Sequence, residues 1–179
     1  MADDNARTNA DERRRLLAEL ELERKQLIRN IETCRIRDIE RPFIDEWSLK
    51  DIVGHVSTWE AEVTTAFREL RAGQRPRLLD FDHNAIDHWN HDHVERKRDL
   101  NFWNVLEQLK GGRQRLLEEL EQIPDEELAA EGSIHLRLVQ STIDHERDHW
   151  HQLAAKLAGS AGVRSSGRSI PEEATATGA

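Results

Sequence analysis

Residues 48–73 read SLKDIVGHVSTWEAEVTTAFRELRAG, and their apolar positions decide the fold. Ile52, Val53, Val56, Trp59, Val63, Phe67 and Leu70 recur at helical spacing, so on a 3.6-residue helix they form one stripe. Ser48 stands before the stripe as an N-cap, Asp51 three residues on as its capping-box partner, and Gly73 as a stop signal. The pattern predicts an amphipathic helix over 49–72.

The same period returns on either side. Residues 11–32 carry Leu16, Leu17, Leu20, Leu27, Ile28 and Ile31 at helical spacing, and a linker with Arg41-Pro42 follows. A third run, 100–122, ends before Pro124 and contains Gly111-Gly112, where a kink is expected. Pro124-Asp125-Glu126-Glu127 makes a turn or a short helix, and a last run, 134–158, stops at Gly159. Between the second and third runs lies a long connection, 74–98, with a short helix expected over 84–96. Four amphipathic helices with a long crossover between helices 2 and 3 predict an all-α fold, a four-helix bundle. The expected organisation is a flexible N-terminus over 1–10, the bundle over 11–158, and a disordered tail over 159–179, where Ser, Gly, Ala and Thr dominate.

Composition agrees and narrows the function. Hydrophobic residues make up 37% and charged residues 34% of the 179, which means a lean core under a highly charged surface. The net charge of −9 argues against a phosphate-tracking, nucleic-acid-binding surface. No apolar run reaches the length of a membrane span and no signal peptide is visible in MADDNARTNA, so the expected location is cytoplasmic. The single cysteine, Cys34, has no internal disulfide partner and reads as an inert packed thiol. Expected partners are a small-molecule substrate and no nucleic acid or membrane, with the chain a monomer or a homodimer.

Chemistry concentrates in the last run, at His145-Glu146-Arg147-Asp148-His149. Two histidines four apart lie one turn from each other on the same helix face, a spacing that lets both imidazoles bind one ion. On a helical wheel, Leu138, Val139, Thr142, Leu153 and Leu157 share a face with His149 inside it and His145 at its edge. His151 falls on the wet side. His55 flanks the apolar stripe of the second helix, one turn before Trp59. The three imidazoles are therefore expected to meet near one end of the core, in a three-histidine site with an open position for water or substrate.

The same five residues also match the H-E-x-x-H signature of zinc proteases, in which Glu146 would be the general base. Gln152 and Ala155 stand where an extended signature needs glycine and histidine, and no strand is expected to align a peptide. The protease reading is a minor alternative.

Trp47-Ser48-Leu49-Lys50-Asp51-Ile52-Val53-Gly54-His55-Val56-Ser57-Thr58-Trp59-Glu60 resembles the W-S-x-K-D-x-x-x-H-x-x-x-W-E segment of the DinB-like superfamily of bacterial four-helix bundles. That group includes the ClbS/DfsB family and the mycothiol-dependent maleylpyruvate isomerase N-terminal domain. The likeness continues at Trp89-Asn90, along the third helix and at His145-x-x-x-His149-x-x-Gln152, and spans roughly residues 12 to 158. It implies a divalent metal ion, zinc or nickel, held by His55, His145 and His149. It also implies metal-dependent thiol transfer with a low-molecular-weight thiol as cofactor, or hydrolytic detoxification of an electrophile.

The connection adds Asp80-Phe81-Asp82-His83-Asn84-Ala85-Ile86-Asp87-His88-Trp89-Asn90-His91-Asp92-His93. Its histidines are expected on a solvated face, and the segment itself as a lid over the site, with Trp89 in the bundle mouth and Asn90 toward the substrate. Trp59 is expected to line the same pocket. Trp47, Trp103 and Trp150 read as core or interface fillers, and Glu118, Glu119 and Glu121 as a solvated face. The leading functional reading is a metal-dependent small-molecule enzyme with Glu146 as a weak candidate base. The alternative is a metal-free ligand-binding or dimerising bundle.

Overall fold

The computed structural model describes residues 2–165. Met1 and residues 166–179, most of the expected tail, lie outside the described residues. The helices are α1 (Ala2–Thr33), α2 (Leu49–Arg71), α3 (His83–Arg96), α4 (Phe102–Leu120), α5 (Asp125–Leu128) and α6 (Ile134–Ser165). Four long ones form the bundle, with α1 packed chiefly on α6 and α2 on α4, while α3 lies in the crossover against α2.

The predicted helices stand where the apolar period put them, with differences at the ends. The first begins at Ala2, upstream of residue 11, since neither glycine nor proline interrupts the chain before Thr33. The last continues through Gly159, because glycine in a helix interior costs only about 1 kcal/mol. At α2 the capping box forms as read: Ser48 Oγ accepts from Asp51 N at 3.2 Å and Asp51 Oδ2 accepts from Ser48 N at 2.9 Å. Gly73, at φ 71°, takes the left-handed turn that ends the helix. α4 runs unbroken through Gly111-Gly112.

The linker before α2 contains a feature the sequence did not announce. β1 (Pro42–Ile44) pairs antiparallel with β2 (Trp47–Ser48) across a tight turn in which Asp45 has φ 51°, a left-handed value that aspartate tolerates. This hairpin folds Phe43 into the core and lays Trp47 on His55.

The core is split in two. One apolar cluster holds Leu16, Leu20, Val63, Phe67, Leu116 and Ile143; the other holds Leu27, Ile52, Val56, Val105, Leu109 and Leu153. Between them each bundle helix contributes one charged side chain: Arg24, Glu60, Arg113 and Glu146. Glu60 is 2% and Glu146 1% exposed. Glu60 accepts from Arg24 Nη2 at 2.9 Å and from Arg113 Nε at 2.5 Å, and Glu146 accepts from Arg113 Nη2 at 2.6 Å and from Arg24 Nε. The spare guanidinium N–H groups donate to the Leu109 carbonyl, at 2.7 Å, and to the Leu20 carbonyl. Burial alone disfavours the charge on Arg113, but Glu146 and Glu60 outweigh it and raise its pKa. Gly112 makes the layer possible, since a Cβ there would stand 3.1 Å from Glu60 Oε2.

Candidate metal centre

His55 is the seventh residue of α2, and its ring faces α6 across the bundle, where His145 and His149 stack one turn apart. Nε2 of His145 lies 2.9 Å from Nε2 of His55 and 3.2 Å from Nε2 of His149. One ligand nitrogen from each of the three lies within 4.8 Å of the others. Nitrogens bound at 2.0–2.1 Å to one tetrahedral ion are roughly 3.3 Å apart; the two His145 contacts match that spacing, and the third pair, within 4.8 Å, would draw in on a shared ion. His55 is buried, 7% exposed, with Trp47 edge-on at 4.8 Å and Trp59 at 6.3 Å fixing its ring plane. His151 is exposed, as the wheel placed it.

The electrostatics favour neutral rings. Burial pushes His55 down to about 2, helped by His145, His149 and Lys97, and pushes His145 down to about 3, helped by His149. Burial also lowers His149, with Asp148 and the Gln152 side chain opposing. Two neutral imidazoles that meet nitrogen to nitrogen share one proton between them. Three that converge leave at least one lone pair aimed at another ring, unless a cation takes the lone pairs. Nδ1 of His149 is also buried without a hydrogen-bond partner of ordinary geometry among the described residues. A donor set of three neutral imidazoles fits zinc or nickel.

Beside the triad is a cavity of about 400 Å³ that His145 and Trp59 both line. Val56, Val63 and Leu138 form its bundle wall, and Leu78, Phe81 and Ile86 from the crossover cover it. The crossover is thus a lid made of aliphatic residues and Phe81. Trp89 and Asn90 stand behind Trp59 instead of lining the cavity: the indoles of Trp59 and Trp89 lie 4.4 Å apart, and Asn90 Oδ1 accepts from Trp59 Nε1 at 2.8 Å. Of the crossover histidines, His83, His88 and His91 are exposed, with His83 3.7 Å from Asp87 and His88 3.5 Å from Asp92.

Several expectations need adjusting. Glu146 is not an open base, since Arg24 and Arg113 engage both its oxygens. Trp103 is 68% exposed and fills no core, because Phe102 beside it takes the buried position at the start of α4. Glu119 is bound to Arg68 and Arg71 of α2 instead of facing water alone. Cys34 matches its reading: it is half-buried, with a thiol pushed up to about 11 by burial and Asp38.

Sequence reasoning missed Arg24, Glu60, Arg113 and Lys97. The first three interrupt an apolar stripe, as in Leu20-x-x-x-Arg24-x-x-Leu27 and Leu109-x-x-x-Arg113-x-x-Leu116, and that interruption was the available signal. Lys97 is tucked along Gly54 with its ammonium donating to the Gly54 carbonyl at 2.8 Å, and burial lowers it to about 8.

No helix among the described residues is long and apolar enough to cross a membrane. No curated protein matches the chain. A crystal structure of an uncharacterised protein from Escherichia coli UTI89 has the same fold, with a TM-score of 0.70 at 13% identity over 82% of this chain and 92% of that one. The family model described as the DinB superfamily matches residues 32–153, which include all three converging histidines and the capping box of α2. The chain belongs to the DinB superfamily.

Proposed function

We propose that His55, His145 and His149 hold a divalent ion, zinc or nickel, and that the protein is a small-molecule enzyme acting on an electrophile by thiol transfer or hydrolysis. The observation that carries this reading is the convergence of three Nε2 atoms next to a cavity that shares His145. When bound, the ion supplies a Lewis-acid position that polarises a substrate or lowers the pKa of a water or thiol.

The chain's own residues supply the rest. Trp47 and Trp59 hold the His55 ring from two sides, and Asn90 fixes the Trp59 indole. The apolar lid of Leu78, Phe81 and Ile86 covers the cavity with side chains that offer a substrate no hydrogen bond. Glu146 acts as a positioning residue: locked between two guanidiniums, it sets the register of α6 at the residue next to His145.

A metal-free ligand-binding bundle is the rival, and one observation favours it: of the three histidines, only His145 lines the cavity. Turnover separates the two. Zinc- or nickel-loaded protein is assayed for hydrolysis of a p-nitrophenyl ester and for addition of cysteine to a chlorodinitrobenzene, beside His149→Ala. The proposal expects turnover in one assay, lost in the variant. Equal rates for both proteins, or none with either, favour the rival.

A further inference from the structure

The cavity beside the triad has an uncompensated charge. Its ionisable lining residues other than His145 are Arg24, Glu60, Arg113, Glu146 and Arg137. The first four neutralise one another in the buried layer. Arg137 is exposed, and among the described residues its guanidinium has neither an ion pair nor a hydrogen bond. Three arginines against two glutamates leave one positive charge on a mostly apolar cavity, in a chain whose net charge is −9.

Position gives that charge a purpose. Arg137, Ser141 and His145 all line the cavity and follow one another at intervals of four on α6, one turn apart along one stripe. Arg137 and His145 are eight residues apart, which is roughly 12 Å of helix. Arg137 also lies in the first turn of α6, where the helix dipole adds to its positive field. Between the two ends the walls are Val56, Trp59, Val63 and Leu138, under Leu78 and Phe81. About 400 Å³ is within the range of pockets that enclose a drug-sized molecule.

We propose that this cavity takes an amphipathic organic anion: a flat apolar body against Trp59 and the lid, with a carboxylate or sulfonate paired to Arg137. The other end of such a molecule reaches His145. That this end is the reacting one rests on the metal-site reading above; recognition of the anion does not.

The test uses two fluorescent probes with the same aromatic body, anilinonaphthalene sulfonate and its neutral counterpart N-phenylnaphthylamine, titrated into the full chain in EDTA. The expected result is one sulfonate bound per chain, at least tenfold tighter than the neutral probe. Arg137→Gln should weaken the sulfonate about tenfold and leave the neutral probe unchanged. Arg137 makes no contact the fold needs, so the variant should fold, as far-ultraviolet circular dichroism would verify. Ser141→Trp, which fills the cavity near His145, should abolish binding of both probes. Equal affinities, a sulfonate affinity indifferent to Arg137→Gln, or no binding of either probe would overturn the proposal. Because metal is absent throughout, these failures leave the metal reading intact, and a chain that binds no metal leaves this one intact.

Discussion

His145 and Glu146 are neighbours on α6, yet they belong to buried polar clusters in opposite conditions. Glu146 joins Glu60, Arg24 and Arg113 in a layer where two positive charges meet two negative ones and all four carboxylate oxygens accept a hydrogen bond. His145 joins His55 and His149 in a cluster whose nitrogens face one another, with a buried Nδ1 of His149 that has no hydrogen-bond partner of ordinary geometry among the described residues. Polar groups buried in a fold are normally satisfied, and a satisfied network explains itself as structure. A buried set of imidazole nitrogens converging on one point is a donor set that a cation from outside the chain could use. That contrast is the reason to seek function at the histidines and structure at the arginines, although both kinds of residue interrupt the same apolar stripes.

The largest expected effect comes from breaking the satisfied cluster. Glu146→Ala leaves Arg24 and Arg113 with one carboxylate between them, and removing one partner of a buried pair costs about 3–5 kcal/mol. Urea denaturation should show a loss of that size. Replacing all four charges with apolar residues of similar volume should be far milder, because the desolvation penalty disappears with the attraction. A loss below about 1 kcal/mol for Glu146→Ala would mean that water reaches the layer.

The histidine cluster should respond to pH instead. The metal-free fold holds His55 and His145 at about 2 and about 3, whereas the unfolded chain protonates them near the ordinary value of about 6.5. The unfolded state therefore binds more protons below pH 6.5, and stability falls with pH from there toward the folded values. Each such histidine contributes a slope of up to about 1.4 kcal/mol per pH unit. In EDTA, the double variant His55→Gln/His145→Gln should be less sensitive than wild type between pH 6 and pH 5, by up to about 2.7 kcal/mol. Identical slopes would show that the rings stay open to protons in the folded state.

A smaller effect separates two adjacent glycines. At Gly111 a new Cβ meets only the far end of the Arg115 side chain, at 3.2 Å, so Gly111→Ala should stabilise by up to about 1 kcal/mol through helix propensity. At Gly112 it meets Glu60 Oε2, which Arg24 pins in place, so Gly112→Ala should destabilise. Thermal melts of the two variants should move in opposite directions. Shifts of the same sign would mean that the charged layer yields easily.

The bundle was legible because its signal is local: the stripe on α2 and the Ser48–Asp51 box need no knowledge of the other helices. The three histidines were legible for the same reason, each placed by the wheel of its own helix. The hairpin over 42–48 was not, since its strands are too short for alternation to show and Pro42 suggests a linker. Arg24 and Arg113 were hidden by composition, because in a chain with 34% charged residues an arginine reads as surface. The true backing of Trp59 by Trp89 and Asn90 depends on how the crossover docks, which no helical period reports.

The most direct test is the metal content and thermal stability of protein purified without a histidine tag, after dialysis against Zn²⁺ or Ni²⁺ at neutral pH. The account predicts one ion per chain and a raised melting temperature for wild type and for His151→Ala, whose ring is exposed, with both lost in His149→Ala. No bound ion in wild type, or the same behaviour in His149→Ala and His151→Ala, would contradict it.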